Sequence, residues 1–113
     1  DYSGCIFCLV TMLFINKEGN LDLHKIRQIE KVTAIPLVIH GGSGIPTVQR
    51  SMLARNSKIC KFNIGTELRM AFGIALRKAL DTEPDQFDRV QILSQTHDPL
   101  VYATRKVLRS FKS

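Results

Sequence analysis

The sequence has little of what marks a membrane or secreted protein. Its longest apolar stretch, residues 5–15, has roughly eleven residues, whereas a helix that spans a bilayer needs about twenty. The residues before this stretch carry no positive charge, and Asp1 is acidic, so the lead-in does not have the pattern of a signal peptide. We therefore interpret the stretch as a buried strand, and we expect a cytoplasmic protein with no membrane partner.

Cysteine is also scarce. The chain has 3 cysteines, and an odd number argues against a closed disulfide framework. Cys5 and Cys8 have the C-x-x-C spacing of a zinc or redox pair, but a structural zinc site needs a second pair, and only Cys60 and scattered histidines remain. We favour the alternative that the cysteines are small buried apolar residues.

Basic runs are absent as well, although the net charge is +6. No basic segment is interleaved with aromatic residues, and no nucleic-acid-binding motif is present, so we expect no nucleic-acid partner. We interpret the positive charge as a solvated surface property that favours anionic ligands. The basic residues are dispersed, and include Lys25, Lys31, Arg50, Arg55, Lys58, Arg69, Arg77, Lys78, Arg105, Lys106 and Arg109.

A short apolar run ends in a histidine and a glycine-rich loop. Residues 36–44 read PLVIHGGSG, and the run 37–39 has no polar alternation, which is typical of a strand buried on both faces of a parallel sheet. The loop then lies at the carboxyl end of that strand, where α/β proteins place their chemistry. Gly41, Gly42 and Gly44 can adopt backbone angles that bring N–H groups together on an anion. His40 is a metal ligand or acid–base group beside this loop.

The segment 59–68, ICKFNIGTEL, repeats the arrangement. It predicts a short strand that ends at Asn63 and then turns through Ile64 and Gly65 into a helix with Thr66 as its N-cap. Parallel strand ends open on one face, so we expect Asn63 near His40. The alternative for each glycine-rich turn alone is an ordinary βα connection.

The coarse pattern predicts one α/β domain over residues 1–113. Strands are expected at 5–14, 35–40 and 58–63, and helices at 21–32, 47–55, 66–81 and 99–111, where Asp98 can cap and Pro99 can occupy the first turn. Four carboxylates in the segment 81–88 fit a solvated turn better than a calcium loop. A (β/α)8 barrel needs roughly 200 residues or more, so three βα units fit here, as a partial barrel with open sheet edges.

Residues 37–46 (LVIHGGSGIP) and 61–72 (KFNIGTELRMAF) resemble the last two barrel strands of class II ketose-bisphosphate aldolases, the fructose- and tagatose-bisphosphate group. Residues 20–26 (NLDLHKI) and 86–90 resemble that family more weakly, so the likeness covers about residues 17–110, whereas residues 1–16 match poorly. The resemblance implies a partial (β/α)8 TIM barrel: about the last three βα units plus a C-terminal helix.

The resemblance also implies the site. His40 would be one of three histidines on a catalytic zinc. Gly41, Gly42 and Ser43 would bind a substrate phosphate, and their carbonyls would hold a monovalent cation. Asn63 would bind the dihydroxyacetone phosphate part of the substrate. The phosphate site would be completed by Ile64, Gly65 and Thr66.

The chain departs from the family in two ways. The acid–base aspartate and a second zinc histidine belong to barrel segments that this sequence does not contain, and we identify no catalytic acid–base residue here. The third zinc histidine is expected near residues 12–13, which read Met-Leu. One histidine does not make the three-ligand site of a catalytic zinc.

Three functions remain open. The chain belongs to a zinc-dependent aldolase (a lyase of carbohydrate metabolism and glycolysis, acting on a sugar bisphosphate), or it is a non-catalytic remnant or subunit that binds a sugar phosphate or a partner barrel. A different phosphate-binding barrel enzyme is the third. We expect a homo-oligomer, and we expect the isolated chain to be inactive as an aldolase. The sequence does not select the fructose or tagatose configuration.

Overall fold

The structure, a computed structural model, describes residues 9–11 and 21–112. These residues divide into two compact units. The first comprises the described residues up to Ile64 together with Ser110 to Lys112, and the second comprises Gly65–Arg109. Cys5 and Cys8, which were expected to be buried apolar residues, and the expected zinc-histidine position at residues 12–13 lie outside the described residues.

The first unit holds a parallel sheet and two helices. In chain order its elements are β1 (Leu9–Thr11), α1 (Leu23–Val32), β2 (Leu37–Ile39), a 3₁₀ turn (Gly42–Gly44), α2 (Thr47–Asn56) and β3 (Ile59–Phe62). The strand order is β1-β2-β3, and both pairings are parallel. Helices between parallel strands are the βα units that the sequence predicts, so the α/β class is confirmed.

Strand β2 forms the centre of the first unit. Leu37, Val38 and Ile39 are all buried, which confirms that this strand is covered on both faces. Strand β3 is different, because it lies at the end of the described strand order. Its residues Cys60 and Lys61 are exposed. The expectation that Cys60 is buried is therefore wrong. The core cluster comprises Leu21, Ile26, Leu37, Ile39, Ile45, Leu53 and Ile59.

Helix α1 is fixed at both ends by acidic side chains. Asp22 caps it: its Oδ1 accepts from the Lys25 backbone N–H at 3.1 Å, and this bond lowers the pKa of Asp22. Glu30 lies near the other end, and its Oε1 accepts from the Lys58 N–H at 2.7 Å while its Oε2 accepts from Arg27 at 2.8 Å. Burial raises the pKa of Glu30, but these hydrogen bonds outweigh it and lower the pKa overall.

Residues 110–112 return to the first unit after the second has been completed. The Ser110 hydroxyl lies 3.4 Å from the Arg50 guanidinium, and the Lys112 carbonyl accepts from Arg55. The rings of Phe111 and Phe62 pack with centroids 4.9 Å apart at an interplanar angle of 52°. This tilted geometry is a favourable one for an aromatic pair. The first unit is therefore built from two separate pieces of the chain.

The second unit is helical. It contains α3 (Thr66–Thr82), α4 (Arg89–Ser94) and α5 (His97–Arg109). Helix α4 is absent from the predicted pattern, and its cap explains it: the Asp88 carboxylate accepts from the Val90 N–H at 2.7 Å. Helix α5 begins one residue before the predicted cap, Asp98. Within the described part of the chain, no group of three metal-ligating side chains is present and no helix is long and apolar enough to cross a membrane.

Candidate functional site

Two polar side chains meet at the carboxyl ends of neighbouring strands. His40 directly follows β2, and Asn63 directly follows β3. The Asn63 amide Nδ2 lies 3.0 Å from the His40 Nδ1. Because the two strands are parallel, with Ile39 in register with Phe62, the next residue of each strand emerges at the same edge. The structure thus brings together the two residues that the sequence pattern singled out.

The backbone also joins these strand ends. The Asn63 N–H donates to the Ile39 carbonyl at 2.8 Å, and the Gly42 N–H donates to the Asn63 carbonyl at 3.0 Å. The first bond extends the sheet ladder by one residue, and the second fastens the glycine-rich loop to the end of β3. In this structure the Gly42 N–H is therefore bonded within the fold, which does not fit the expectation that it faces a phosphate.

The glycines of the loop have different roles. Gly41 is the glycine with positive φ among the described residues, at 68°. Gly42 is buried, and a Cβ added there would lie 3.3 Å from the Ile64 Cγ1 and 3.5 Å from the Asn63 carbonyl oxygen. A side chain at Gly42 is therefore disfavoured by close approach, and a side chain at Gly41 by backbone conformation. Around Gly44 there is open space, with no atom within 4 Å of an added Cβ.

A buried arginine holds the same loop. Arg50, in α2, is only 4% exposed, and its Nη2 donates to the Ser43 carbonyl at 2.8 Å. The sequence pattern placed Arg50 among the solvated surface charges, and that interpretation is wrong. The available signal was its position in the helix: Arg50 precedes the buried Leu53 by three residues, so the two share the inner face of α2.

Of the three zinc histidines that the resemblance implies, the described residues include one candidate, His40. As the Asn63 amide is oriented, its N–H donates to the His40 Nδ1, so a neutral imidazole carries its proton on Nε2. A metal on Nε2 would require the opposite ring tautomer and an amide turned to present its oxygen to Nδ1–H. His40 is exposed, so solvent reaches its ring. The imidazole suits zinc, and further ligands would have to come from outside the described residues.

The remaining predicted phosphate ligands lie at the start of the second unit. Gly65, rather than Thr66, occupies the N-cap position of α3, and no side chain caps the helix. Thr66 is instead the first helical residue, and its hydroxyl lies 3.4 Å from the Arg69 guanidinium. Arg69 is a positive side chain beside a helix N-terminus, where anions are favoured. The sequence pattern did not identify Arg69 as a candidate phosphate ligand.

A cavity in the second unit contains none of the predicted site residues. It has a volume of about 490 Å³ and is formed by residues of α3 and of the segment 99–106 in α5. Its walls are mostly apolar, and Met70, Ile74 and Tyr102 are exposed in it. Its only charged lining residues are Glu67, Lys78 and Lys106. Among the described residues that line it there is no group of three metal-ligating side chains.

Comparisons with known proteins agree with this arrangement. The family model of fructose-bisphosphate aldolase class-II matches residues 13–113. A fructose-bisphosphate aldolase of Geobacillus stearothermophilus is 36% identical over 98 residues, which cover 85% of this chain and 33% of that protein. A 6-phospho-5-dehydro-2-deoxy-D-gluconate aldolase of Halalkalibacterium halodurans is 32% identical over the same extent. This chain spans about a third of the length of these curated relatives.

A solved aldolase structure is also similar to this chain. The crystal structure of the YdjI aldolase from Escherichia coli K12 superimposes with a TM-score of 0.62 and 26% sequence identity. The match covers 86% of this chain and 36% of that one.

Proposed function

Because this chain belongs to the class II fructose-bisphosphate aldolase family, we propose that it carries the phosphate-binding end of a ketose-bisphosphate aldolase site. The whole protein would reversibly cleave a sugar bisphosphate into dihydroxyacetone phosphate and an aldehyde phosphate. The 3.0 Å contact between His40 and Asn63, at the ends of two parallel strands, is the observation that carries this proposal. We propose that the chain is about three βα units of a (β/α)8 barrel, in a cytoplasmic homo-oligomer.

Each side chain has a proposed role. Asn63 is a hydrogen-bonding residue for the substrate, and its contact with His40 fixes the imidazole. The loop that contains Gly41 and Ser43 lies against Ile64 and binds the phosphate through N–H groups and a hydroxyl. The Gly42 N–H contributes indirectly, because its bond to the Asn63 carbonyl holds the loop against β3. Gly65 and Thr66, at the N-terminus of α3, remain proposed phosphate ligands, and Arg69 is added to them.

Zinc enters the proposal through His40. When bound, zinc would polarise the ketone oxygen of the substrate. The chain itself would supply one imidazole, and Asn63 would hold the zinc-binding tautomer once its amide is turned so that its oxygen accepts from Nδ1–H. Nitrogen-15 shifts of the His40 ring test this: zinc should move the ring proton to Nδ1 and should turn the Asn63 amide. If zinc leaves both side chains unchanged, His40 is not a ligand in this chain.

The phosphate site is tested by a chemical-shift titration of the 113-residue chain with dihydroxyacetone phosphate. Amide shifts should change at residues 41–44 and 63–66. Ser43→Ala should weaken binding by one hydrogen bond, about 0.5–1.5 kcal/mol. Shift changes confined to other residues, or none at millimolar ligand, would remove the proposal.

Arg69 offers a matched comparison, because Arg77 lies on the same helix and is also exposed. Both Arg69→Gln and Arg77→Gln remove one positive charge from α3. An exposed charge pair is worth about 1 kcal/mol or less, so Arg69→Gln should weaken phosphate binding by up to about fivefold. The affinity of Arg77→Gln should match that of the parent chain. If both variants lose affinity equally, only the net charge attracts the phosphate, and Arg69 has no place in the site.

The second candidate is a non-catalytic chain that binds a sugar phosphate or a partner barrel. The observation that favours it is that the described residues contain no group of three metal-ligating side chains. An aldol-cleavage assay of this chain with added zinc tests the second candidate, because turnover is the result that contradicts it. We expect the 113-residue chain alone to have little or no activity, because loss of the catalytic residues of such a site costs several orders of magnitude in rate. Ordinary turnover by this chain would exclude the second candidate.

A further inference from the structure

The buried Arg50 guanidinium lies against the proposed phosphate loop. Its Nη2 donates to the Ser43 carbonyl at 2.8 Å, and its Nη1 lies 3.4 Å from the Ser110 hydroxyl. Burying a charged side chain is unfavourable unless it is paired or hydrogen-bonded, and the two terminal nitrogens of Arg50 make the contacts given above. At 4% exposure, Arg50 is therefore a built part of this loop rather than a surface charge.

This arrangement changes what the loop carbonyls can bind. The family resemblance implies a monovalent cation on the carbonyls of Gly41, Gly42 and Ser43. Here the Gly42 carbonyl accepts from the Ile45 N–H at 3.3 Å, and the Ser43 carbonyl accepts from Arg50. A cation on the Ser43 oxygen would lie within a few ångströms of a guanidinium, and like charges at that separation repel each other strongly outside bulk water. The residues present do not fit a cation on this carbonyl.

We propose that the Arg50 guanidinium takes the place of a monovalent cation at the Ser43 carbonyl and acts as the positioning residue of the phosphate loop. The predicted effect on phosphate binding rests on the proposed function. The replacement of a cation by Arg50 at the Ser43 carbonyl does not depend on that function. The guanidinium donates to the Ser43 carbonyl and so holds the loop in one conformation, and the positive charge of Arg50 favours an anion on the loop.

The first experiment is a titration of the parent chain with inorganic phosphate, followed through the amide shifts of residues 41–44. It is run in potassium chloride and in choline chloride at equal ionic strength. We expect the same affinity in both salts. Arg50→Gln should weaken binding about tenfold in choline chloride, since a charge-assisted hydrogen bond is lost, and potassium should restore part of that loss. Arg50→Lys should remain independent of potassium.

Arg55→Gln is the matched control. Arg55 lies in the same helix, carries the same charge and donates to the Lys112 carbonyl instead of the loop. Its affinity and its potassium response should match those of the parent chain. A purely structural loss at Arg50 would weaken binding without creating a potassium dependence, so the appearance of that dependence is the diagnostic readout.

A second measurement distinguishes this inference from the proposed function. The Ser43 carbonyl carbon-13 shift, followed during potassium titration without phosphate, should be unchanged in the parent chain and should move in Arg50→Gln. A parent chain that binds no phosphate would overturn the proposed function, while this shift would still decide the role of Arg50. Potassium that moves the parent Ser43 shift, or tightens parent phosphate binding more than about threefold, would overturn the inference. If Arg50→Gln does not fold, the potassium responses of the parent chain and of Arg50→Lys decide whether the inference holds.

Discussion

Gly41→Ala tests whether the backbone of the glycine-rich loop is fixed. Gly41 has φ 68°, and a Cβ added there has no atom within 4 Å. The substitution therefore introduces no steric conflict with other residues. Its whole cost comes from holding an alanine in the left-handed region, about 1–2 kcal/mol. An alanine also restricts the unfolded chain relative to glycine, which offsets about 0.4–1 kcal/mol of that cost.

Gly44→Ala is the control that isolates the free-energy cost of the left-handed backbone conformation at Gly41. An added Cβ at Gly44 also meets open space, but φ there is not positive. The unfolded-state effect is the same for both substitutions and cancels in their difference. Gly41→Ala should therefore be less stable than Gly44→Ala by about 1–2 kcal/mol. Gly41→Asn should recover part of the loss, because asparagine tolerates the left-handed region better than alanine.

Native-state hydrogen exchange suits this comparison, because it reports on the first unit alone. The probe is the Asn63 N–H, which donates to the Ile39 carbonyl at 2.8 Å and opens when β2 and β3 separate. A difference of 1–2 kcal/mol corresponds to a rate ratio of about 5–30 between the two variants. Equal exchange in Gly41→Ala and Gly44→Ala would show that the loop can relax out of the left-handed conformation, and the argument for a fixed loop would fail.

Three further predictions concern the first unit. Gly42→Val should destabilise it by about 1–3 kcal/mol through overpacking, and Gly42→Ala by clearly less, as measured by urea unfolding. Glu30 should stabilise the folded chain less in acid. Because folding lowers the pKa of Glu30, its stabilising effect is complete above the ordinary value of 4.5 and is lost as the pH falls through the pKa of the folded state. The difference in unfolding free energy between the parent chain and Glu30→Gln should therefore shrink below pH 4.5. Phe111→Ala should cost about 1–2 kcal/mol by removing the ring pair with Phe62, whereas Phe111→Leu should cost less, and equal thermal stability of the two variants would contradict this.

Local pattern was sufficient for much of the first unit. The apolar run before His40 identified β2, and the expected helix 47–55 differs by one residue from the observed Thr47–Asn56. The meeting of His40 and Asn63 followed from one rule, that parallel strands end at the same edge. These features are encoded by neighbouring residues, so they can be read without the tertiary structure.

Structural features that depend on the tertiary arrangement were not predicted from the local sequence pattern. The helix position of Arg50 indicates the inner face of α2, but its contacts with Ser43 and Ser110 follow only from the tertiary structure. The exposure of Cys60 follows from the place of β3 in the strand order, which the sequence does not state. Helix α4 was missed because it has only six residues, and its cap, Asp88, looked like part of an acidic turn.

The divided construction of the first unit has a consequence for biosynthesis. The contact between Arg50 and Ser110 joins residues 60 positions apart, and the whole second unit is translated between them. At about 5–20 residues per second, the ribosome needs roughly 3 to 12 seconds to extend the chain from Arg50 to Ser110. During this time the ring of Phe62 and the guanidinium of Arg50 cannot make their contacts with residues 110–111, because those residues have not yet been synthesised. The first unit is therefore completed only after the second unit has been synthesised, and the residues of α2 and β3 that contact residues 110–112 lack those contacts during the interval.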